Sequence, residues 1–151
     1  MSSIPETTTM SSAPPSVVRL ESVYGRPDRH KLLYQLLDER DETVNISHRQ
    51  MPSYGDHVRF VEGRPYADWN FICVGDELVG AIYLSKADEI GIFMFGKFRG
   101  MGYGRRAIIA LMDKHGRRRY LANVNPRNDP SRALFVSLGF VVCQHTYERR
   151  S

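Results

Sequence analysis

Between residues 89 and 116 the pattern of apolar positions changes from that of a strand to that of a helix. Residues 89–95 (EIGIFMF) form a mostly apolar run of strand length, and the glycine-rich sequence RGMGYG follows at residues 99–104. Apolar residues then recur at helical spacing: Ala107, Ile108, Leu111 and Met112. Gly116 stands where a helix C-terminus favours glycine. The sequence therefore predicts a strand, a glycine-rich turn and a helix, in that order.

The same patterns predict elements along the rest of the chain. In order they are a strand at 17–23, a helix at 26–40, a second helix between Ser53 and Gly63, a hairpin of strands 71–74 and 78–85, a strand at 120–124, a short helix at 131–138 and a strand at 140–147. With the central strand and helix, the order is β-α-α-β-β-β-α-β-α-β. Residues 1–15, rich in Ser, Thr and Pro, predict a disordered tail, and residues 16–151 a single domain.

Composition narrows the function classes only slightly. Lys and Arg number 21 against 17 Asp and Glu, a net charge of +4, which favours an anionic ligand but neither implies nor excludes nucleic acid. Cys73 and Cys143 both fall in predicted strands, so buried thiols are expected, not a disulfide or a metal site, as in a reducing cytoplasm. No run is apolar for long enough to cross a bilayer, and residues 1–15 do not have the pattern of a secretory signal.

The glycine-rich turn is typical of an anion site. A strand followed by such a turn aims backbone N–H groups and the positive end of a helix dipole at one point. The nucleotide-triphosphate motif G-x-x-x-x-G-K-[ST] is absent. The dinucleotide pattern G-x-G-x-x-A is met at Gly102, Gly104 and Ala107, but residues 119–128 offer no acidic residue for a ribose. The remaining pattern is R-x-x-G-x-G, beginning at Arg99.

A second motif follows the glycine-rich turn further along the chain. The motif consists of an Asn, a small residue three positions on, an aromatic residue seven positions on, and a Gly-Phe pair at eleven and twelve. These positions are Asn128, Ser131, Phe135, Gly139 and Phe140. Together the two motifs resemble those of the GNAT superfamily of N-acetyltransferases, firmly from residue 69 onward. The resemblance implies an α/β fold with a mixed, mostly antiparallel sheet of six to seven strands flanked by four helices. It also implies acetyl-CoA as the cofactor.

The resemblance assigns the cofactor-binding residues. Main-chain groups of Phe93, Met94 and Phe95 would hold the pantetheine arm. The pyrophosphate would bind to the turn, at Arg99, Gly100, Met101, Gly102, Tyr103, Gly104 and Arg105. Asn128, Ser131 and Phe135 would contact the far side of the cofactor.

Two residues are candidates for the chemistry. Acidic residues on the central strand often act as general base in this superfamily, so Glu89 is either that base or a solvated charge. Asn123, on the next strand, could orient a water molecule, and an amide near Met94 could stabilise the developing oxyanion. Many relatives have a tyrosine acid at the position of Phe135. Another donor therefore serves, or the thiolate leaves unprotonated, or the domain binds acyl-CoA without turnover.

The acceptor is expected to be a small-molecule primary amine. A fainter resemblance, to the nucleotide-sugar N-acetyltransferases of the bacterial pseudaminic acid pathway, makes an aminosugar nucleotide the first candidate, with Arg40 and His57 contacting the nucleotide. An amino acid or peptide N-terminus is second, and a modified nucleobase or other nucleic-acid amine a further alternative. Trp69 and Tyr83 are the remaining candidate acceptor residues. No metal and no membrane partner is expected, and a homodimer is compatible with the sequence.

Overall fold

The computed structural model describes residues 17–39 and 51–151. The predicted disordered tail at residues 1–15 lies outside the described residues, and so do Arg40 and residues 41–50 of the loop that follows the first helix.

Five strands and four α-helices make up the described part of the chain. The strands are β1 (Val18–Ser22), β2 (Asp68–Val74), β3 (Glu77–Leu84), β4 (Glu89–Met94) and β5 (Leu121–Ala122). The helices are α1 (His30–Asp38), α2 (Tyr54–Glu62), α3 (Tyr103–His115) and α4 (Asp129–Ser137), with short 3-10 turns at Pro27–Arg29 and Gly96–Phe98.

The strands form one mixed sheet in the order β1-β2-β3-β4-β5. The first four strands pair antiparallel, whereas β4 and β5 pair in parallel at only two positions, Glu89 with Leu121 and Ile90 with Ala122. Beyond Ile90 the two strands have no further paired positions, so a cleft opens between them. This mixed, mostly antiparallel sheet with four helices confirms the predicted α/β fold class.

The two faces of the sheet carry separate apolar cores, because successive strand side chains point to opposite faces. On one face Phe71 packs with Leu33 and Leu36 of α1 and Val61 of α2. On the other face the core is formed with α3 and includes Ile72, Ile82, Ile90, Ile108 and Leu111. The predicted helix and strand periodicities of these segments therefore correspond to real buried faces.

Helix boundaries follow the local chemistry of the chain. Ser53 caps α2 by accepting a hydrogen bond from Asp56 N at 3.1 Å, as its position before the helix predicts. The first predicted helix begins instead as a 3-10 turn, with Pro27 at its first position, and becomes α-helical only at His30. Gly116 ends α3 in the left-handed conformation, as expected.

Four expectations about the sheet and the C-terminal third are wrong in detail. Within residues 17–39 and 51–151 the sheet has five strands, not six or seven; β5 covers two residues of the predicted 120–124; and residues 140–147 form no strand. Cys143 is exposed rather than buried. Alternation in the sequence cannot show whether a neighbouring strand exists. In the described part of the chain no strand lies beside residues 140–147, and Val141, Val142 and Tyr147 are exposed.

Candidate active site

The cleft between β4 and β5 brings both sequence motifs to one place. It is about 40 Å³ in volume, and its lining combines apolar strand residues with amide and hydroxyl side chains. The lining residues are Tyr83, Ile90, Gly91, Ile92, Phe93, Asn123, Val124, Asn125, Asn128, Ser131 and Phe135. Residues of the central strand thus face residues of the second motif across the gap.

Glu89 and Asn123, the two predicted catalytic residues, are in direct contact. Nδ2 of Asn123 donates a hydrogen bond of 2.7 Å to Oε2 of Glu89. Ser85 contacts the same residue, since its hydroxyl lies 3.4 Å from Oε1 and accepts a bond from Glu89 N at 3.0 Å. The carboxylate is therefore oriented from two sides. Glu89 is not itself a lining residue of the cleft: it lies in the paired part of β4 and β5, next to Asn123, which does line it.

The amide directions of β4 follow from its pairing with β3. Phe95 N donates to Val79 O at 2.9 Å, so the N–H of Phe95 points toward β3. Because N–H directions alternate along an antiparallel strand, the N–H groups of Ile92 and Met94 point to the other side, toward the cleft. An amide in this position can act as the donor that the sequence predicts near Met94.

The N-terminus of α3 has the features of an anion site. Gly102 is its N-cap with φ of 81°, a left-handed conformation that favours glycine, and no side chain caps the helix. By contrast, Ser53 caps α2 and Asn128 caps α4 with their own side chains. A Cβ on Gly100 or Gly102 would meet no atom within 4 Å, so the space before these glycines is open. The first amides of α3 thus fit a pyrophosphate.

The arginines around this turn differ in their contacts. Arg99 Nη2 donates to Met94 O at 3.5 Å and stays close to the end of β4. Arg105 extends away from the turn, since its Nη1 donates to Ser137 Oγ at 2.7 Å on α4. Arg99 is therefore the better placed of the two to contact a ligand between strand and turn.

The far wall of the cleft is built by α4. Asn128 Oδ1 accepts from Ser131 N at 3.2 Å, so the first residue of the second motif also caps the helix. Phe135 is 5% exposed, lines the cleft and packs edge-to-face on Phe140 at 5.1 Å. This wall offers no titratable hydroxyl at position 135.

The predicted acceptor residues are not all in the cleft. Tyr83 lines it, whereas Trp69 is 4% exposed and belongs to the core under α1 and α2. His57 is 2% exposed and packs against the rings of Tyr34 and Tyr54. Burial lowers the pKa of His57, and the nearby His30 adds to this effect. Arg40 lies outside the described residues.

A stacked aromatic pair beside the cleft was not foreseen from the sequence. The rings of Tyr66 and Tyr83 are parallel within 5° with centroids 3.8 Å apart. Tyr83 also lies directly across the ladder from Gly91. The available signal was a glycine inside the apolar strand sequence Ile-Gly-Ile, which often marks a close approach of another group.

Comparison with known proteins identifies the family. The model of the Acetyltransferase (GNAT) family matches residues 30–140 of this chain. The chain belongs to the GNAT acetyltransferase family. The resemblance of the two motifs is thereby confirmed, and the chain is an acyltransferase with acetyl-CoA as its cofactor.

Individual known proteins are similar to this GNAT chain at low sequence identity. It is 28% identical over 126 residues to the 5-NmdU N-acetyltransferase of Pseudomonas phage PaMx11, covering 77% of this chain and 83% of that protein. A domain from Methanocaldococcus jannaschii DSM 2661 superposes with a TM-score of 0.75 at 18% identity, covering 88% and 94% of the two chains. The ribosomal L7/L12 alpha-N-protein acetyltransferase RimL, in complex with coenzyme A, superposes with a TM-score of 0.65 at 18% identity. The match covers 81% of this chain and 78% of that chain.

Two further observations concern the GNAT chain as a whole. Within residues 17–39 and 51–151, His, Cys, Asp and Glu side chains nowhere gather in threes as a metal ion would need. In the same residues, the helices are too short or too polar to cross a membrane.

Proposed function

We propose that this chain transfers the acetyl group of acetyl-CoA directly to a primary amine, with Glu89 as general base. The observation that carries the proposal is the bond of 2.7 Å from Asn123 to Glu89, which fixes a carboxylate beside Asn123, a residue that lines the β4–β5 cleft. A base must lie within hydrogen-bonding reach of the proton that it removes, and an oriented carboxylate meets this requirement.

The cofactor would be held mainly by backbone groups. The uncapped amides of α3 and the glycine turn at 100–104 would bind the pyrophosphate, with Arg99 as the nearby cation. The strand end at 93–95 would bind the pantetheine arm, and Asn128, Ser131 and Phe135 would form the opposite wall. When bound, acetyl-CoA supplies an activated acyl group as a thioester.

The remaining catalytic contribution comes from positioning. The N–H of Met94 points toward the cleft and would stabilise negative charge on the carbonyl oxygen. Asn123 would keep the Glu89 carboxylate directed at the amine. Holding both reactants in one cleft makes their encounter effectively unimolecular, which is a large part of the rate enhancement in such reactions.

The first candidate acceptor is an aminosugar attached to a nucleotide. Arg40 is the residue that would contact its phosphates, whereas the burial of His57 against Tyr34 and Tyr54 argues against a direct ligand contact there. Replacing Arg40 with Ala should raise the acceptor KM about tenfold, because a charged hydrogen bond is lost, while the Kd of acetyl-CoA stays unchanged.

The second candidate is a nucleic-acid amine. It is favoured by the relative from Pseudomonas phage PaMx11, whose name is 5-NmdU N-acetyltransferase. The excess of Lys and Arg over Asp and Glu suits a polyanionic acceptor equally well.

An amine screen tests the proposal. Free thiol released from acetyl-CoA would be measured with an aminosugar nucleotide, 5-NmdU, a peptide N-terminus and a free amino acid. Turnover with one class that disappears in Glu89→Gln is the expected result. Tight coenzyme A binding without turnover of any amine would instead indicate a non-catalytic acyl-CoA-binding module.

The assembly and compartment are parts of the same proposal. The exposed side chains of Val141, Val142 and Tyr147 in the C-terminal segment favour contact with a second copy and thus a homodimer. Light scattering of the wild type and of Val142→Glu would test this, since only the wild type should be dimeric.

The free cysteines Cys73 and Cys143 favour action in the reducing cytoplasm.

A further inference from the structure

We propose that Tyr83 is the proton donor to the departing sulfur, and that Gly91 and Tyr66 hold its ring in place for this role. The inference rests on the proposed function, since it requires the thioester to lie in the β4–β5 cleft. In this proposal the acid comes from the wall of the cleft opposite to α4. The wall formed by α4 carries Phe135, which has no hydroxyl.

The ring of Tyr83 is seated on the backbone of the neighbouring strand. Tyr83 on β3 pairs directly with Gly91 on β4. A Cβ at position 91 would overlap Cε2, Cζ and the hydroxyl oxygen of Tyr83, and these are the three atoms nearest to it. The ring therefore lies across Gly91, with its hydroxyl end over β4, and only glycine leaves room for this arrangement.

The other face of the ring is covered by Tyr66. The two rings are parallel at 3.8 Å, which is a close aromatic stack. Tyr66 is itself fixed through its backbone, because the hydroxyl of Tyr24 donates to Tyr66 O at 2.9 Å and accepts from Tyr66 N at 3.0 Å. Tyr83 is thus clamped between Gly91 and Tyr66, which leaves its hydroxyl little freedom of position.

The chemistry of the cleft favours Tyr83 as the acid. A thiol has a pKa of about 8.5 and a phenol has a pKa of about 10. The two values are close, so a phenol can share its proton with the sulfur as the carbon–sulfur bond lengthens. Among the described residues that line the cleft, Tyr83 is the one whose side chain carries an ionisable proton. The others are apolar, amide or aliphatic hydroxyl side chains.

All bonds and protons in this reaction are accounted for without any added reactant. The amine nitrogen forms the new bond to the acyl carbon, and the sulfur keeps the electron pair of the bond that breaks. Tyr83 gives its phenolic proton to that sulfur, so the coenzyme leaves as a thiol. Glu89 receives the proton lost by the amine, and its return through water to the Tyr83 phenolate restores both side chains.

A binding experiment tests the contact without turnover. Calorimetry would compare coenzyme A with desulfo-coenzyme A, in the wild type and in Tyr83→Phe, at pH 9. The phenyl ring keeps the stack on Tyr66, so only the hydroxyl is removed. Loss of a hydrogen bond to a thiolate should weaken coenzyme A binding about tenfold and leave desulfo-coenzyme A unaffected. Equal affinities for both ligands in both proteins would overturn the proposal.

A kinetic experiment tests the acid role. The elements around Tyr83 carry further titratable side chains, among them Glu89 on β4, Asp68 and Cys73 on β2, and Tyr66. In the wild type, kcat should fall at alkaline pH, where a phenolic acid has lost its proton. Tyr83→Phe should lower kcat about 100-fold and lose that fall. Tyr54→Phe, which removes a hydroxyl from an exposed side chain of α2, is the matched control and should behave as wild type.

A double variant tests whether a hydroxyl on the opposite wall of the cleft can replace that of Tyr83. Phe135→Tyr would place a hydroxyl at the cleft from α4, so it should restore part of the kcat lost in Tyr83→Phe. A wild-type profile without an alkaline fall overturns the acid role even if Tyr83→Phe does not fold. If the wild type acetylates no amine at all, the proposed function fails; if it does but Tyr83→Phe is fully active, only this inference fails.

Discussion

Asn123, just after β5, holds the carboxylate of Glu89 on the neighbouring strand β4, with Nδ2 of the amide 2.7 Å from Oε2. The contact exists because the parallel pairing of β4 with β5 aligns Glu89 with Leu121 and so brings the side chain of Asn123 beside it. An amide at this position donates to the carboxylate and adds no second negative charge. The pair is therefore suited to keep one oriented base.

The first prediction concerns this base. Glu89→Gln should lower kcat/KM by about 100-fold or more, because the amide cannot accept the proton of the amine. The loss should be smaller at high pH, where more of the amine is already deprotonated. Initial rates of thiol release between pH 6 and pH 10 would measure both effects.

The control for Glu89→Gln is Glu77→Gln, the same change at an exposed position beside the β2–β3 turn. It should leave the rate unaltered. Wild-type activity of Glu89→Gln across the whole pH range would show that the amine loses its proton to another group.

The second prediction concerns the anion site. Gly102→Glu should abolish coenzyme A binding, because its carboxylate would occupy the place of the pyrophosphate and repel it. Calorimetry with coenzyme A measures this directly. Gly75→Glu is the control, since Gly75 also has positive φ (59°) and open space around it but lies in a distant hairpin turn. Unchanged affinity in a folded Gly102→Glu variant would place the cofactor elsewhere.

Local sequence was sufficient for the elements that contain their own signals. The strand, glycine turn and helix at residues 89–116 were predictable because periodicity, positive-φ glycines and the C-cap all act within a few residues. The cap of α2 by Ser53 was predictable for the same reason. Two motifs at fixed spacing then identified the family.

Contacts between distant residues were not predictable in the same way. The clamp on Tyr83 depends on its register with Gly91 and on Tyr66, whose backbone is fixed by Tyr24. A single sequence records none of these distances. Residues 140–147 show the converse, since their strand-like alternation has no neighbouring strand among the described residues to pair with.

The third prediction concerns pH and stability. Burial, reinforced by His30, lowers the pKa of His57 below its ordinary value of 6.5. The folded chain therefore binds fewer protons than the unfolded chain at this site. The free energy of unfolding should be level above pH 6.5 and decline as the pH falls from there toward the lowered pKa. In His57→Phe this decline should be weaker.

Urea unfolding at pH 8, 6.5 and 5 would measure the decline. His145→Gln, a change at an exposed histidine, is the control. An equally steep decline in His57→Phe would mean that groups other than His57 cause it.

The last prediction separates the need for glycine at position 91 from the general demands of the strand. Gly91→Ala should displace the ring of Tyr83 and lower kcat at least tenfold, and overpacking of this kind costs about 1–3 kcal/mol of unfolding free energy. All three atoms nearest to an added Cβ belong to Tyr83, so the same change should be nearly silent in a Tyr83→Ala background. At Gly80, on the partner strand, a Cβ would instead meet the carbonyl oxygen of Phe93 and the Sδ and Cα atoms of Met94. Gly80→Ala should therefore be as harmful without Tyr83 as with it. Measuring kcat and thermal unfolding for both glycine variants in both backgrounds completes the cycle, and equal costs of Gly91→Ala in the two backgrounds would show that Gly91 does not serve to seat the Tyr83 ring.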